Sequence, residues 1–206
     1  MFRPLWGAAL LLTLCLVAGA FCSSCRERAP HLAPLAPNAL ILAFGDSLTA
    51  GTGAAGTDSY PAVLQRLTGH PVINAGQPGE LSGEGLARLP ALLERHQPAL
   101  VMLCHGGNDL LRRHDPAQTA TNLAIMIEMI RDSGAQVLLL GVPHPGLRLR
   151  PPPFYRELAE HYRIPYDTSL PKILSQGELR SDTVHPNAAG YLRLAEALAG
   201  QLAAGG

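Results

Sequence analysis

The sequence predicts an α/β fold, a three-layer α/β/α sandwich built on a mainly parallel sheet of about five strands. Three observations lead there. Short, almost wholly apolar runs recur along the chain, such as Leu40–Phe44, Ala99–Cys104 and Val137–Leu140, as expected of strands buried on both faces. Amphipathic segments of helical period alternate with them, which specifies parallel strands joined by crossover helices. Gly, Asn, Asp and Ser gather just past several of the runs, at the edge where open sheets of this kind place their chemistry.

Taken in order, the run that opens at Ala39 ends at Gly45-Asp46-Ser47-Leu48, a buried strand closed by turn residues. Ser59 to Gly69 places Val63, Leu64 and Leu67 at helical spacing, with Pro61 in the first turn and a glycine to close it. Pro71 to Asn74 reads as the second strand. Ser82 to His96 carries Leu86, Leu89, Leu92 and Leu93 on one stripe, with Ser82 and Glu84 suited to its start. Ala99 to Cys104 is the third strand, Pro116 to Ser133 a long helix ended by Gly134, and Gln136 to Gly141 the fourth strand. Pro152 to Arg163 reads as helix, Ile164 to Thr168 as a short fifth strand, and Asn187 to Leu202 as a final amphipathic helix.

With 206 residues the chain suits one folded domain plus a targeting segment. Sixteen basic residues balance sixteen acidic ones, so no broad field recruits nucleic acid. Aromatic residues are only 5% of the chain, too few for base-stacking platforms. Cys15, Cys22 and Cys25 fall in or beside the N-terminal apolar segment, which leaves Cys104 alone in the domain, read as a small buried hydrophobe.

At the N-terminus, Arg3 precedes an apolar run from Leu5 to Phe21, which serves as a signal peptide or a membrane anchor. Ala18-Gly19-Ala20 offers small residues for cleavage after Ala20, while Cys22 or Cys25 is the alternative point of lipid attachment. Arg26 to Asn38, with Pro30, Pro34 and Pro37, reads as a stiff extended linker. The expected division is therefore 1–25 for export or anchoring, 26–38 for the linker and 39–206 for the domain. Such a chain is exported to the periplasm or cell envelope, with membrane association through its N-terminal segment as one outcome.

Four short strings carry the chemistry. Gly45-Asp46-Ser47-Leu48 follows the first strand, Asn74-Ala75-Gly76 the second and Gly106-Gly107-Asn108-Asp109 the third, while Asp182-Thr183-Val184-His185 precedes the last helix. All should meet at one edge of the sheet, where they supply a hydroxyl, an imidazole, a carboxylate and neutral donors. Plainer roles stay open for some of them: Asn108 as a turn residue before Asp109, and Gly76 as the glycine of a tight turn. Asp46 and Asp109 are better placed to brace their loops than to reach His185. His105 and His144 also follow strands and are read as packed or hydrogen-bonded bystanders, with lining of the pocket as the alternative.

In order and placement these strings resemble the four blocks of the SGNH hydrolases, also called GDSL esterases, over Ala39 to Leu202. The stretch GLARLPALLERHQPALVML is similar to the small periplasmic thioesterase, lysophospholipase and arylesterase branch. The resemblance implies Ser47 as nucleophile, His185 as general base and Asp182 as its orienting acid. It also implies an oxyanion hole made from the backbone N–H groups of Ser47 and Gly76 and the side-chain amide of Asn108. Cys104 and His105 depart from the apolar or acidic residues expected before Gly106 in that branch.

The implied function is hydrolysis of acyl esters, lysophospholipids or acyl-CoA-type thioesters through an acyl-serine, by a monomer that uses neither a metal nor an organic cofactor. An envelope-anchored binding module of the same fold and a carbohydrate O-deacetylase are the alternatives. Gly51-Thr52-Gly53-Ala54-Ala55-Gly56 spells a dinucleotide-binding string, but it lies six residues past the strand, and the second strand ends in Asn74 rather than an acid. No H-E-x-x-H or paired-cysteine spacing supports a metallohydrolase.

Overall fold

A computed structural model describes residues 30–144, 146 and 149–204. The signal-peptide or anchor reading of residues 1–25 lies outside them. Five strands, β1 (Ile41–Gly45), β2 (Val72–Gly76), β3 (Leu100–Cys104), β4 (Gln136–Leu140) and β5 (Tyr166–Asp167), form one parallel sheet in the order β2-β1-β3-β4-β5. The helices are α1 (Ser47–Ala50), α2 (Tyr60–Thr68), α3 (Ser82–His96), α4 (Gly107–Leu111), α5 (Pro116–Asp132), α6 (Pro153–Tyr162), α7 (Ser169–Leu174) and α8 (Ala188–Ala204). Helices α2 and α8 pack together, as do α3 and α5. This is the α/β/α sandwich that the alternating pattern predicts.

The apolar runs explain which strands are central. Every residue of β1 and β3 is buried, whereas β2, at the sheet edge, is only partly covered. The chain passes from β1 outward to β2 and then returns across β1 to β3, so the strand order reverses between β1 and β3. Open sheets bind ligands beyond the carboxyl ends of strands at such a reversal. Gly45 lies level with both Gly76 and Cys104 in the register, which brings the ends of the first three strands to one line.

Several expectations need correction in detail. Residues 30–38 do not run free of the domain: Leu32 is buried, and Ala33 exchanges two hydrogen bonds with the Gln136 side chain at 2.7 and 3.1 Å. Contact with the core therefore begins seven residues before Ala39. Leu67, counted on the apolar stripe of α2, is about half exposed. Ser82 does not cap α3. Glu84 accepts from Leu81 N at 2.8 Å, while Ser82 is buried and donates to Asp109 from both its N–H and its hydroxyl, at 2.9 and 2.7 Å. Cys104 is free and fully buried, and burial pushes its thiol well above the usual range.

Candidate active site

Ser47 is the first residue of α1, directly beyond β1. Asp46 caps that helix by accepting from Leu48 N at 3.0 Å, and burial raises its carboxyl above the ordinary range. A helix's first N–H groups have no partner within the helix, so Ser47 combines an exposed-edge hydroxyl with a backbone donor. His185 sits 138 positions further along, in a turn closed by Ser181 N donating to His185 O at 2.9 Å. Asn187 anchors the turn to α8, its side-chain oxygen accepting from Gly190 N at 3.0 Å.

These supports bring three side chains into line. The Ser47 hydroxyl lies 2.9 Å from His185 Nε2, and His185 Nδ1 lies 2.7 Å from Asp182 Oδ2. The other Asp182 oxygen accepts from Val184 N at 2.8 Å and His185 N at 2.9 Å. Partial burial opposes ionisation of Asp182, but the hydrogen bonds from His185 and the two backbone N–H groups outweigh it and hold the carboxyl below its usual value. An ionised Asp182 can only accept a hydrogen bond, so Nδ1 carries the proton and donates to Oδ2. Nε2 is then the acceptor, and Ser47 is the donor to it.

Asn108 occupies the first turn of α4, beyond β3. Its Nδ2 donates to Glu80 O at 3.1 Å and lies 3.3 Å from Asp46 Oδ2. Asn108, Ser47 and His185 share a cleft with Leu48, Leu111, Val142, Pro143, Leu149 and Leu174 among its walls. Three polar groups thus face a mostly apolar trough.

Gly76 does not present a donor there. Its N–H is committed to Asn74 Oδ1 at 3.0 Å, and its lack of a side chain answers a packing need, since a Cβ would run into the Thr49–Ala50 backbone. A second glycine near Asn108, which the sequence reading did not single out, is Gly79. It stands at φ 81° in a turn closed by Glu80 N donating to Gln77 O at 3.2 Å, one residue from the carbonyl that holds Asn108. Arg112 fixes the Gly79 carbonyl at 3.1 Å. Pro78-Gly79 is a turn dipeptide that calls for this positive φ, and it was the available signal.

The remaining candidates are bracing groups. Asp109 holds the start of α3 through Ser82. His105 is fully buried beneath the site, against Glu80 and the Phe44 ring, rather than lining the cleft. His144 lies on a separate groove with Pro152 and Phe154. Gly51 and Gly53 stand at φ 95° and 98°, with Gly51 ending α1, so the glycine-rich string forms turns and not a strand-to-helix phosphate loop. Among the described residues no cluster of three or more His, Cys, Asp or Glu could hold a metal ion, and no helix is long and apolar enough to cross a membrane.

A serine, histidine and aspartate in relay at the switch point of a parallel sheet define a serine hydrolase of the α/β/α class. The sequence model of the GDSL-like Lipase/Acylhydrolase family matches residues 43–193, and the chain belongs to that family. It is 37% identical to the esterase TesA of Pseudomonas aeruginosa over 76% of this chain and 84% of that one. It is 35% identical to thioesterase 1/protease 1/lysophospholipase L1 of Escherichia coli K12, covering 79% and 82%. A crystal structure of TesA superimposes with a TM-score of 0.68 at 35% identity, covering 79% of this chain and 97% of that chain. The protein is accordingly a serine esterase of the GDSL type.

Proposed function

We propose that the protein hydrolyses esters or thioesters of acyl chains, such as lysophospholipids or acyl-CoA, through an acyl-serine on Ser47. The observation that carries this is the relay from Ser47 through His185 to Asp182 at the mouth of an apolar cleft. Ser47 Oγ attacks the carbonyl carbon as its proton passes to His185 Nε2. The tetrahedral intermediate collapses when His185 returns that proton to the departing alcohol or thiol. Water then attacks the acyl-serine, gives a proton to His185 and releases the acid, and the proton goes back to Ser47. Asp182 fixes the imidazole tautomer and stabilises the imidazolium formed in both halves.

The oxyanion is met by Ser47 N–H, by the Asn108 amide and, in place of the expected Gly76, by Gly79 N–H. Support for Gly79 comes from the engagement of Gly76 N–H by Asn74 and from the proximity of the Gly79–Glu80 peptide to Asn108. The long Asn108-to-Asp46 contact of 3.3 Å is the one an incoming oxyanion displaces. Leu111, Val142, Leu149 and Leu174 favour an acyl chain over a sugar acetate.

Assay of the protein lacking residues 1–29 with p-nitrophenyl esters of graded length, acyl-CoA and lysophospholipid tests this reading. Ser47→Ala should abolish turnover on all three. Full turnover by Ser47→Ala, or activity confined to acetylated sugars, would overturn it. The apolar run from Leu5 to Phe21 supports export, and mass spectrometry of the native N-terminus distinguishes cleavage after Ala20, lipidated Cys22 or Cys25, and a retained anchor.

A further inference from the structure

Behind Asn108 lies a buried ionic knot that the relay does not use. The Glu80 carboxylate has almost no exposure, yet it accepts from Arg88 Nε at 2.7 Å and Arg88 Nη2 at 2.6 Å, while His105 Nε2 stands 3.1 Å away. His105 Nδ1 accepts from Gly106 N at 3.0 Å, so the imidazole proton is on Nε2 and points at Glu80. Burial works to raise the Glu80 carboxyl, but the bonds from His105 and Arg88 prevail and hold it at about 2.

The knot joins three parts of the chain that surround the cleft. Arg88 also donates to Ala75 O at 3.1 Å and stacks over Phe44, 4.6 Å from the ring centroid, which ties in the ends of β2 and β1. His105 ties in the junction between β3 and α4. Gly85 is part of the arrangement, because a Cβ there would occupy the space of the His105 ring. The main chain of Glu80 is where these ties converge, and its carbonyl is the 3.1 Å acceptor for Asn108 Nδ2. A buried ion pair is weak evidence for stability, since apolar residues of like volume often serve as well. Its value here is placement.

We infer that Glu80, clamped by Arg88 and His105, is a positioning residue that sets the direction of the Asn108 amide and so governs turnover without touching substrate. The inference rests on Asn108 being an oxyanion donor. Glu80→Gln keeps the size and the backbone carbonyl, but its NH2 group must face one of the donors that now point at the carboxylate. The expected result is a fall in kcat of about ten- to a hundredfold with little change in KM, because a donor displaced by a fraction of an ångström is felt chiefly in the transition state.

A double-mutant cycle with Asn108→Ala on a p-nitrophenyl ester decides the matter. If Glu80 acts through Asn108, Glu80→Gln has almost no further effect once Asn108 is alanine. His105→Gln, which can still donate to Glu80, should stay within about threefold of the parent, whereas His105→Leu should lose about tenfold in kcat. Should Glu80→Gln fail to fold, His105→Leu takes its place in the cycle, leucine being an apolar filler for a fully buried site. Full additivity of the paired substitutions, or an unchanged kcat in both Glu80→Gln and His105→Leu, would overturn the inference. If Asn108→Ala itself leaves kcat intact, the oxyanion assignment of Asn108 is what fails.

Discussion

Replacing Asp182 with asparagine changes one atom of the relay and tests how it is oriented. Oδ1 of Asp182 accepts from two backbone N–H groups at 2.8 and 2.9 Å, and Oδ2 accepts from His185 Nδ1 at 2.7 Å. An asparagine keeps its single carbonyl oxygen on the two backbone donors, because turning the amide over would set its NH2 against both. The NH2 then faces Nδ1, which must become an acceptor, so the imidazole carries its proton on Nε2 and presents it to Ser47. The base is blocked while the geometry is kept. In a serine triad of this type the corresponding loss is about ten-thousandfold in kcat, or about 5 kcal/mol of barrier. The assay is pre-steady-state hydrolysis of a p-nitrophenyl ester across neutral pH, with thermal melting as a control for folding. An Asp182→Asn enzyme within about tenfold of the parent would refute the reasoning about tautomer control.

Other outcomes follow from the same geometry. Asn108→Ala should lower kcat about a hundredfold, or roughly 3 kcal/mol, with KM little changed, as steady-state kinetics will show. Glu80 has a folded-state value of about 2 against an ordinary 4.5, so the unfolded chain binds the proton more readily and stability rises with pH across that window. The melting-temperature advantage of the parent over Glu80→Gln should therefore be full above pH 4.5 and shrink as pH falls toward 2. Leu111→Trp, at the cleft wall, should shift ester preference to shorter chains by about fourfold in kcat/KM per methylene excluded, read from a graded ester series. A chelator should leave hydrolysis unchanged, because besides substrate and water the proposed pathway uses only side chains and backbone N–H groups of the chain.

Much of this was legible in the residues because the decisive signals are local. Leu100–Cys104 and Gln136–Leu140 are apolar runs at the centre of the sheet, and their boundaries fall within a residue of expectation. Asp182 and His185 are three apart in one turn, so their pairing is close to a sequence property. What the residues conceal depends on tertiary partners. Helices α1, α4 and α7 are only four to six residues long, and α1 and α7 are started by the buried side chains of Asp46 and Asp167. Leu32 looks like linker until Gln136 of a distant strand is seen to receive its neighbour. Gly76 ends the second strand and Gly79 follows it, and only the Asn74 side chain shows which N–H is already taken. His105 looked anomalous before Gly106, and its reason lies in Glu80 and the gap at Gly85.

The most direct test of the relay is covalent capture. Incubation with a fluorophosphonate, followed by intact mass measurement and peptide mapping, should give one adduct per chain, located on Ser47 and lost in His185→Ala. An adduct at another residue, or unmodified enzyme that is nevertheless fully inhibited, would contradict the assignment of Ser47 as the nucleophile.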